Sequence, residues 1–167
     1  MEFNSELRTH NYELERSDLT PVHVVGIGLD GAVGLTNTVR QIVEQATLLV
    51  GSDRHLSYFP NHQAPRLVLK DFTQAIRELR EQIAVSDANK SIVVLVSGDP
   101  LFFGLGRLLI EELPPNQLTF HPHLSAVALA FNQIKVPWQD ACTISAHGRS
   151  LEQLTATLQQ GWKRLQY

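Results

Sequence analysis

Apolar residues fall in two rhythms along the chain. The clearest strand candidate is 92–96, Ile-Val-Val-Leu-Val, an unbroken run rich in β-branched residues. It is long enough for one strand and too short for most helices. Lacking any polar alternation, it suits a parallel strand covered on both faces. Residues 22–27 read as a second buried strand, and 48–51, 66–69, 118–120 and 142–146 as shorter ones. Between them the period lengthens. Phe72, Ala75, Ile76, Leu79 and Ile83 fall at helical spacing with Arg and Glu opposite, which predicts an amphipathic helix over 72–84. Helices are also predicted over 37–46, with Thr36 as N-cap, and over 101–113, 124–134 and 151–159, with a short helical piece at 52–59 stopped by Pro60. Strands alternating with helices predict an α/β fold, a mostly parallel sheet with flanking helices.

The stretch 91–113 organises this pattern. After the apolar run the chain turns polar at Ser97-Gly98-Asp99-Pro100, and Leu101, Leu105, Leu108, Leu109 and Leu113 then recur at helical spacing up to Pro114-Pro115. In an open α/β sheet such a turn sits at the carboxyl end of a strand, where ligands bind. A plain strand-to-helix connection would have the same look.

Composition narrows the classes. At 167 residues and 43% hydrophobic, the chain can build one core and part of a second, and no run approaches a membrane span. The net charge of −3 resides in the first 20 residues, which hold five acids and two bases, so 1–20 is expected to be a flexible acidic leader. The rest is balanced and lacks the basic excess of a nucleic-acid binder. A single cysteine, Cys142, allows no internal disulfide and fits a reducing, cytoplasmic location.

Gly26-Ile27-Gly28-Leu29-Asp30-Gly31 spells G-x-G-x-x-G after a strand, the dinucleotide fingerprint, with Asp53 placed 22 residues beyond Gly31 for a ribose. Residues 32–35 intervene before the Thr36 cap, so the loop is longer than a pyrophosphate turn wants. An NAD(P)- or flavin-dependent oxidoreductase therefore stays open as an alternative, as does a non-catalytic small-molecule-binding fragment. His121 and His123 lie two apart and would share a strand face, a possible metal chelate that lacks an evident third ligand.

Four segments taken together, VVGIGLDGAVGLT (24–36), LVSGDPLFFGLGRLL (95–109), FHPHLSAVALAF (120–131) and ISAHGR (144–149), resemble the tetrapyrrole (corrin and porphyrin) methyltransferases. VGSDRHL (50–56), LTFHPHLSAV and PWQDA resemble more narrowly the branch that methylates carbon 5 of the macrocycle in cobalamin biosynthesis. The resemblance covers about 22–160. It implies two α/β domains with a cleft between them, S-adenosylmethionine bound by loops at strand ends, a corrin precursor as substrate, and no metal. It further implies a homodimer for the full-length protein and a decarboxylating methyltransferase activity as a possible partner. Domains are then expected at 21–140 for the N-terminal methylase domain and 141–167 for the beginning of a second α/β domain that the sequence does not finish.

Carried over by position, the resemblance implies cofactor contacts at Leu29, where the family usually has proline, at Ser97, Gly98, Asp99 and Phe102, and at Ser125 and Ala126. Asp53 and Lys70 fall near an acid and a lysine of relatives that work on uroporphyrinogen, and become the catalytic candidates. Asp53 equally suits a solvated first helical turn, Lys70 a surface position, and Asp99 a helix cap. His147 and Arg149 are the substrate-side candidates, since arginine meets carboxylates bidentately.

Overall fold

The run beginning at Ile92 is the middle of a five-stranded sheet. A computed structural model of the chain describes residues 19–85, 90–141, 143, 152, 155, 156 and 159. Within them β1 (Val22–Ile27), β2 (Leu48–Gly51), β3 (Arg66–Val68), β4 (Ile92–Ser97) and β5 (Leu118–His121) pair in the order β3-β2-β4-β1-β5. Every pairing is parallel, with Val24 opposite Val94 and Phe120, and Val50 opposite Val94 and Leu67. Helices α1 (Asn37–Glu44), α2 (Asp53–Ser57), α3 (Phe72–Ala84) and α4 (Gly106–Glu112) supply the crossovers. The chain divides into two compact units, 1–126 and 127–167. The sheet lies in the first, and α5 (Ala126–Ile134) runs on into the second.

Side chains alternate faces along a strand, and the two faces here carry separate apolar layers. Val22, Val24, Leu48, Val50, Ile92, Val94 and Val96 pack with Ile76 and Leu79 of α3 and with Leu105, Leu109 and Leu113 around α4. Val25, Ile27, Leu49, Val93 and Leu95 pack with Leu35, Val43, Ala46 and Leu56 on the side of α1 and α2. With strands on both flanks and apolar layers on both faces, β4 has no position for a polar side chain until Ser97, the first exposed residue of the strand. That is why its sequence reads as unbroken hydrophobicity.

Caps fix where the helices begin. Thr36 accepts from the Val39 amide at 3.3 Å, and Asp71 from the Gln74 amide at 2.9 Å. The helix expected from Leu101 starts instead at Gly106. Phe103 has a left-handed φ of 53°, which an α-helix cannot contain. The chain loops back so that the Gly106 amide donates to the Pro100 carbonyl at 3.0 Å, and Leu101 is left exposed. A Cβ on Gly104 or Gly106 would approach that carbonyl oxygen to 2.7 or 2.5 Å, so both glycines are needed for the loop to close. The helix expected from 124 likewise starts at Ala126, with Leu124 exposed before it.

Of the strand expected over 142–146 only residue 143 is described, outside any strand; the leader up to residue 18, His147 and Arg149 lie outside the described residues. Within the expected helix 151–159, residues 152, 155, 156 and 159 are helical. Among the described residues no helix is long and apolar enough to cross a membrane.

Candidate functional site

In an all-parallel sheet every strand ends at the same edge, so the loops after β1, β2, β4 and β5 converge there. Gly98 is the junction. Its amide donates to the Ile27 carbonyl at 2.9 Å, and its carbonyl accepts from the His123 amide at 3.1 Å. The backbone of one residue thus ties the end of β4 to β1 and to the segment beyond β5. Gly98 has φ of 61°, and a Cβ there would lie 3.2 Å from Ser125 Cα, so the backbone of Ser125 packs against it. The tightest approach is at Gly26, where a Cβ would fall 1.8 Å from the Gly98 oxygen and 2.8 Å from the His123 nitrogen.

The His123 ring covers Gly28, whose missing Cβ would lie 2.3 Å from His123 Cε1. His123 Nε2 is 3.9 Å from Asp30 Oδ1, and its buried Nδ1 has no hydrogen-bond partner among the described residues. His121 takes a different partner: its Nε2 is 3.1 Å from Nδ1 of His23 on β1. Burial holds the pKa of both below the ordinary 6.5, and for His23 the neighbouring His121 adds to the effect. The chelating pair of His121 and His123 is therefore not formed. Among the described residues no three His, Cys, Asp or Glu side chains gather as metal ligands.

On the other flank of β4, helix α2 carries a polar cluster. Ser52 caps it, accepting from the His55 amide at 3.4 Å, and its Oγ lies 2.9 Å from His55 Nδ1. His55 Nε2 is 3.1 Å from Ser97 Oγ, to which Arg54 Nη2 donates at 2.7 Å. Burial first, and the Arg54 charge second, lower the His55 pKa from 6.5. No direct sign of this cluster stands in the sequence. Ser-Asp-Arg-His after β2 looks like an ordinary helix start, and only the β2–β4 pairing brings Ser97 to it.

The other expected residues sit as follows. Asp99 Oδ1 accepts from the Leu101 amide at 2.9 Å, so Asp99 caps the turn after β4 and not a helix. Phe102 is half-buried and meets exposed Phe103 edge-on, with centroids 4.8 Å apart. Leu29 is 87% exposed. Ala126 is exposed at the start of α5. Asp53 is exposed in the first turn of α2 and Lys70 is exposed just beyond β3. Neither is joined to Ser97 by a hydrogen bond or ion pair. The dinucleotide arrangement is not formed: Gly31 opens a 3-10 turn, Gly31–Gly34, its amide donates to the Gly28 carbonyl at 3.2 Å, and α1 begins only at Asn37. In a dinucleotide turn that glycine would stand inside the starting helix. A groove of about 590 Å³ between α3 and α4 is lined by Arg77, Arg80, Glu81, Glu111 and Glu112 on a helical face, away from the strand ends.

Comparison with known proteins agrees with this geometry. The family model of the tetrapyrrole (corrin/porphyrin) methylases matches residues 21–165. A precorrin-6Y C(5,15)-methyltransferase [decarboxylating] of Sinorhizobium is 31% identical over 140 residues, covering 83% of this chain and 33% of the relative. A cobalt-precorrin-7 C(5)-methyltransferase of Salmonella typhimurium is 37% identical over 133 residues, covering 78% of this chain and 64% of the relative. The chain thus spans between a third and just under two thirds of the length of these curated relatives. Among solved structures, a cobalamin-biosynthesis precorrin-6Y methylase from Archaeoglobus fulgidus superposes with a TM-score of 0.60 at 23% identity, over 78% of this chain and 66% of that one. The methyltransferase CobJ gives 0.61 at 23% identity, over 83% and 62%. The chain belongs to the tetrapyrrole (corrin/porphyrin) methylases.

Proposed function

We propose that this chain forms the cofactor-binding part of an S-adenosylmethionine-dependent C-methyltransferase acting on carbon 5 of a corrin precursor, of the precorrin-6Y or precorrin-7 type, in cobalamin biosynthesis. The observation that carries the reading is the Gly98 junction in a chain of this family. Three strand ends approach so closely that only glycine fits at position 26, so the edge presents peptide groups where side chains would otherwise stand. The relative named for carbon 5 alone is the more identical and the more fully covered of the two compared, which favours carbon 5.

The donor set suits the cofactor. Carbonyl oxygens at strand ends keep a second lone pair after one hydrogen bond, and such dipoles favour the positive charge of a sulfonium. His123 Nδ1, buried without a partner, suits an N–H or O–H of a ligand. Ser97, Gly98, Asp99, Leu29, Phe102, Ser125 and Ala126 are the proposed cofactor contacts. Asp99 uses Oδ1 within its own turn, leaving Oδ2 for the ammonium of the methionine moiety. The dinucleotide alternative has less support, because the Gly31 amide is already taken by Gly28.

When bound, S-adenosylmethionine supplies an electrophilic methyl group for in-line displacement by a nucleophilic ring carbon. The protein's part is to align the reactants and exclude water. Asp53, at the start of α2, is proposed to take or relay the proton released as the ring rearranges, and Lys70 to act as the acid. His147 and Arg149 are proposed to meet the macrocycle and its carboxylates. A cytoplasmic location, a homodimer of the full-length protein and a decarboxylating methyltransferase partner complete the reading.

Thermal unfolding with S-adenosylhomocysteine and with NAD tests it. S-adenosylhomocysteine should raise the melting temperature and NAD should not. Stabilisation by NAD alone would overturn the reading in favour of an oxidoreductase. Cofactor binding without methyl transfer to a corrin precursor, in a full-length version too, would reduce it to a binding module.

A further inference from the structure

The exposed hydroxyl of Ser97 is held by an ordered set of hydrogen bonds whose direction can be worked out. Arg54 Nη2 lies 2.7 Å from Ser97 Oγ and 3.3 Å from His55 Nε2. A guanidinium only donates, so the ring nitrogen that faces it carries a lone pair. The ring proton then sits on Nδ1 and is donated to Ser52 Oγ, 2.9 Å away. The single lone pair of Nε2 takes the Ser97 hydroxyl across 3.1 Å, the nearer of its two donors, while Ser97 Oγ accepts from Arg54 Nη2 at the shorter 2.7 Å. One lone pair of Ser97 remains.

We propose that Ser52, Arg54 and His55 form a positioning relay that orients the Ser97 hydroxyl so that it presents an acceptor, and only an acceptor, to an ammonium or hydroxyl hydrogen of the bound ligand. The identity of that ligand as S-adenosylmethionine rests on the methyltransferase reading; the relay itself does not. As a whole residue His55 is 8% exposed. Around it, β2 brings Gly51, β4 brings Leu95 and Ser97, and the charged group facing it is Arg54 of its own helix. Burial and that charge keep the imidazole neutral near pH 7, as the relay requires.

Protonation of His55 reverses the presentation. An imidazolium donates from both nitrogens. Ser97 Oγ would then accept from Arg54 and from His55, both lone pairs would be filled, and its own hydrogen would point outward. A ligand that arrives with a donor would meet a donor. The relay thus makes ligand affinity fall with acidification, through a residue that does not touch the ligand.

Two measurements on the chain test this. Long-range ¹H–¹⁵N NMR should show His55 as the Nδ1–H tautomer, and Ser97→Ala should shift its titration. Calorimetry with S-adenosylhomocysteine should show wild-type affinity falling about threefold to tenfold between about pH 7.5 and pH 5, the range of one hydrogen bond. His55→Gln, which cannot titrate, and Ser97→Ala should both give profiles lacking that limb. An Nε2–H tautomer, or a His55 titration indifferent to Ser97→Ala, overturns the relay whatever the cofactor is. The same acid limb persisting in His55→Gln also overturns it. If the NMR result is as expected and S-adenosylhomocysteine binds at no pH, the relay stands and the cofactor assignment fails.

Discussion

Replacing Gly26 by alanine puts a methyl group where the backbone of another strand already lies. The added Cβ would stand 1.8 Å from the Gly98 oxygen, 2.8 Å from the His123 amide nitrogen and 3.0 Å from the Gly98 carbonyl carbon. All three neighbours are backbone atoms, so no side chain can rotate away. Bringing the first contact to the 3.0 Å floor that real Cβ atoms respect requires a displacement of about 1.2 Å between β1 and the end of β4. A shift of that size lengthens both hydrogen bonds of the junction, Gly98 to Ile27 at 2.9 Å and His123 to Gly98 at 3.1 Å, beyond useful range. Two backbone bonds at about 1 kcal/mol each, with about 1–3 kcal/mol for overpacking, give a destabilisation of about 3–5 kcal/mol.

Equilibrium urea unfolding followed by far-ultraviolet circular dichroism measures this, with Gly51→Ala as the matched control. The nearest atoms to a Cβ at Gly51 are Leu95 Cβ at 3.2 Å and, at 3.4 Å, His55 Cβ and the Leu95 oxygen, so that variant should lose about 1 kcal/mol or less. A Gly26→Ala protein that accumulates unfolded while Gly51→Ala folds normally reads the same way. The two variants showing equal stability, or Gly26→Ala staying within about 1 kcal/mol of wild type, would mean that the junction yields without cost and is not a close-packed crossing of backbones.

Two further outcomes follow from burial. The pKa values of His23, His55 and His121 are all lowered from 6.5 by burial, so the folded state favours the neutral rings. The unfolded chain takes up protons first as pH falls, so their contribution is complete above 6.5 and is lost progressively as pH drops toward the folded values. The urea midpoint should therefore be lower at about pH 5.5 than at about pH 7.5, and a midpoint that rises on acidification would contradict the placement of these rings. Amides of 92–96 should be among the slowest of the chain to exchange hydrogen, and exchange at the rate of an unprotected peptide would sink the central position of β4.

The sheet was largely legible because burial on two faces leaves a signature in one dimension. Runs at 22–27, 48–51 and 92–96 became strands, and the 72–84 periodicity became α3 with both ends as expected. The misreading at 101–105 has a definite cause. Leu105, Leu109 and Leu113 do line the core, and Leu101 falls in phase with them by spacing alone. Pro100, Gly104 and Gly106 were the contrary signal, since they build the loop that leaves Leu101 in solvent. The site was legible as a place and not as a mechanism. Ser97-Gly98-Asp99 was singled out, yet its partners come from other segments: His55 and Arg54 lie 42 and 43 residues from Ser97 along the chain, and His123 belongs to the segment beyond β5. Their roles depend on strand order, which periodicity does not carry.

Strand order also explains why the dipeptide Ser97-Gly98 has its particular sequence. β4 lies between β2 and β1, so a residue at its carboxyl end faces two different neighbours. On the β2 side stands the polar start of α2, which offers Arg54 and His55 to a hydroxyl. On the β1 side stands Gly26, which offers no side chain and admits only a peptide group. The serine at 97 meets the first requirement with its side chain. The glycine at 98 meets the second with its backbone, at a φ of 61° that a side chain would strain. Exchanging the two would remove the hydroxyl from the α2 cluster and place a Cβ 3.2 Å from Ser125 Cα. One residue anchors the turn through its side chain and the next through its peptide, to opposite halves of the sheet. The turn after β4 is therefore held by the same strand that forms the centre of the core, and it inherits that strand's rigidity.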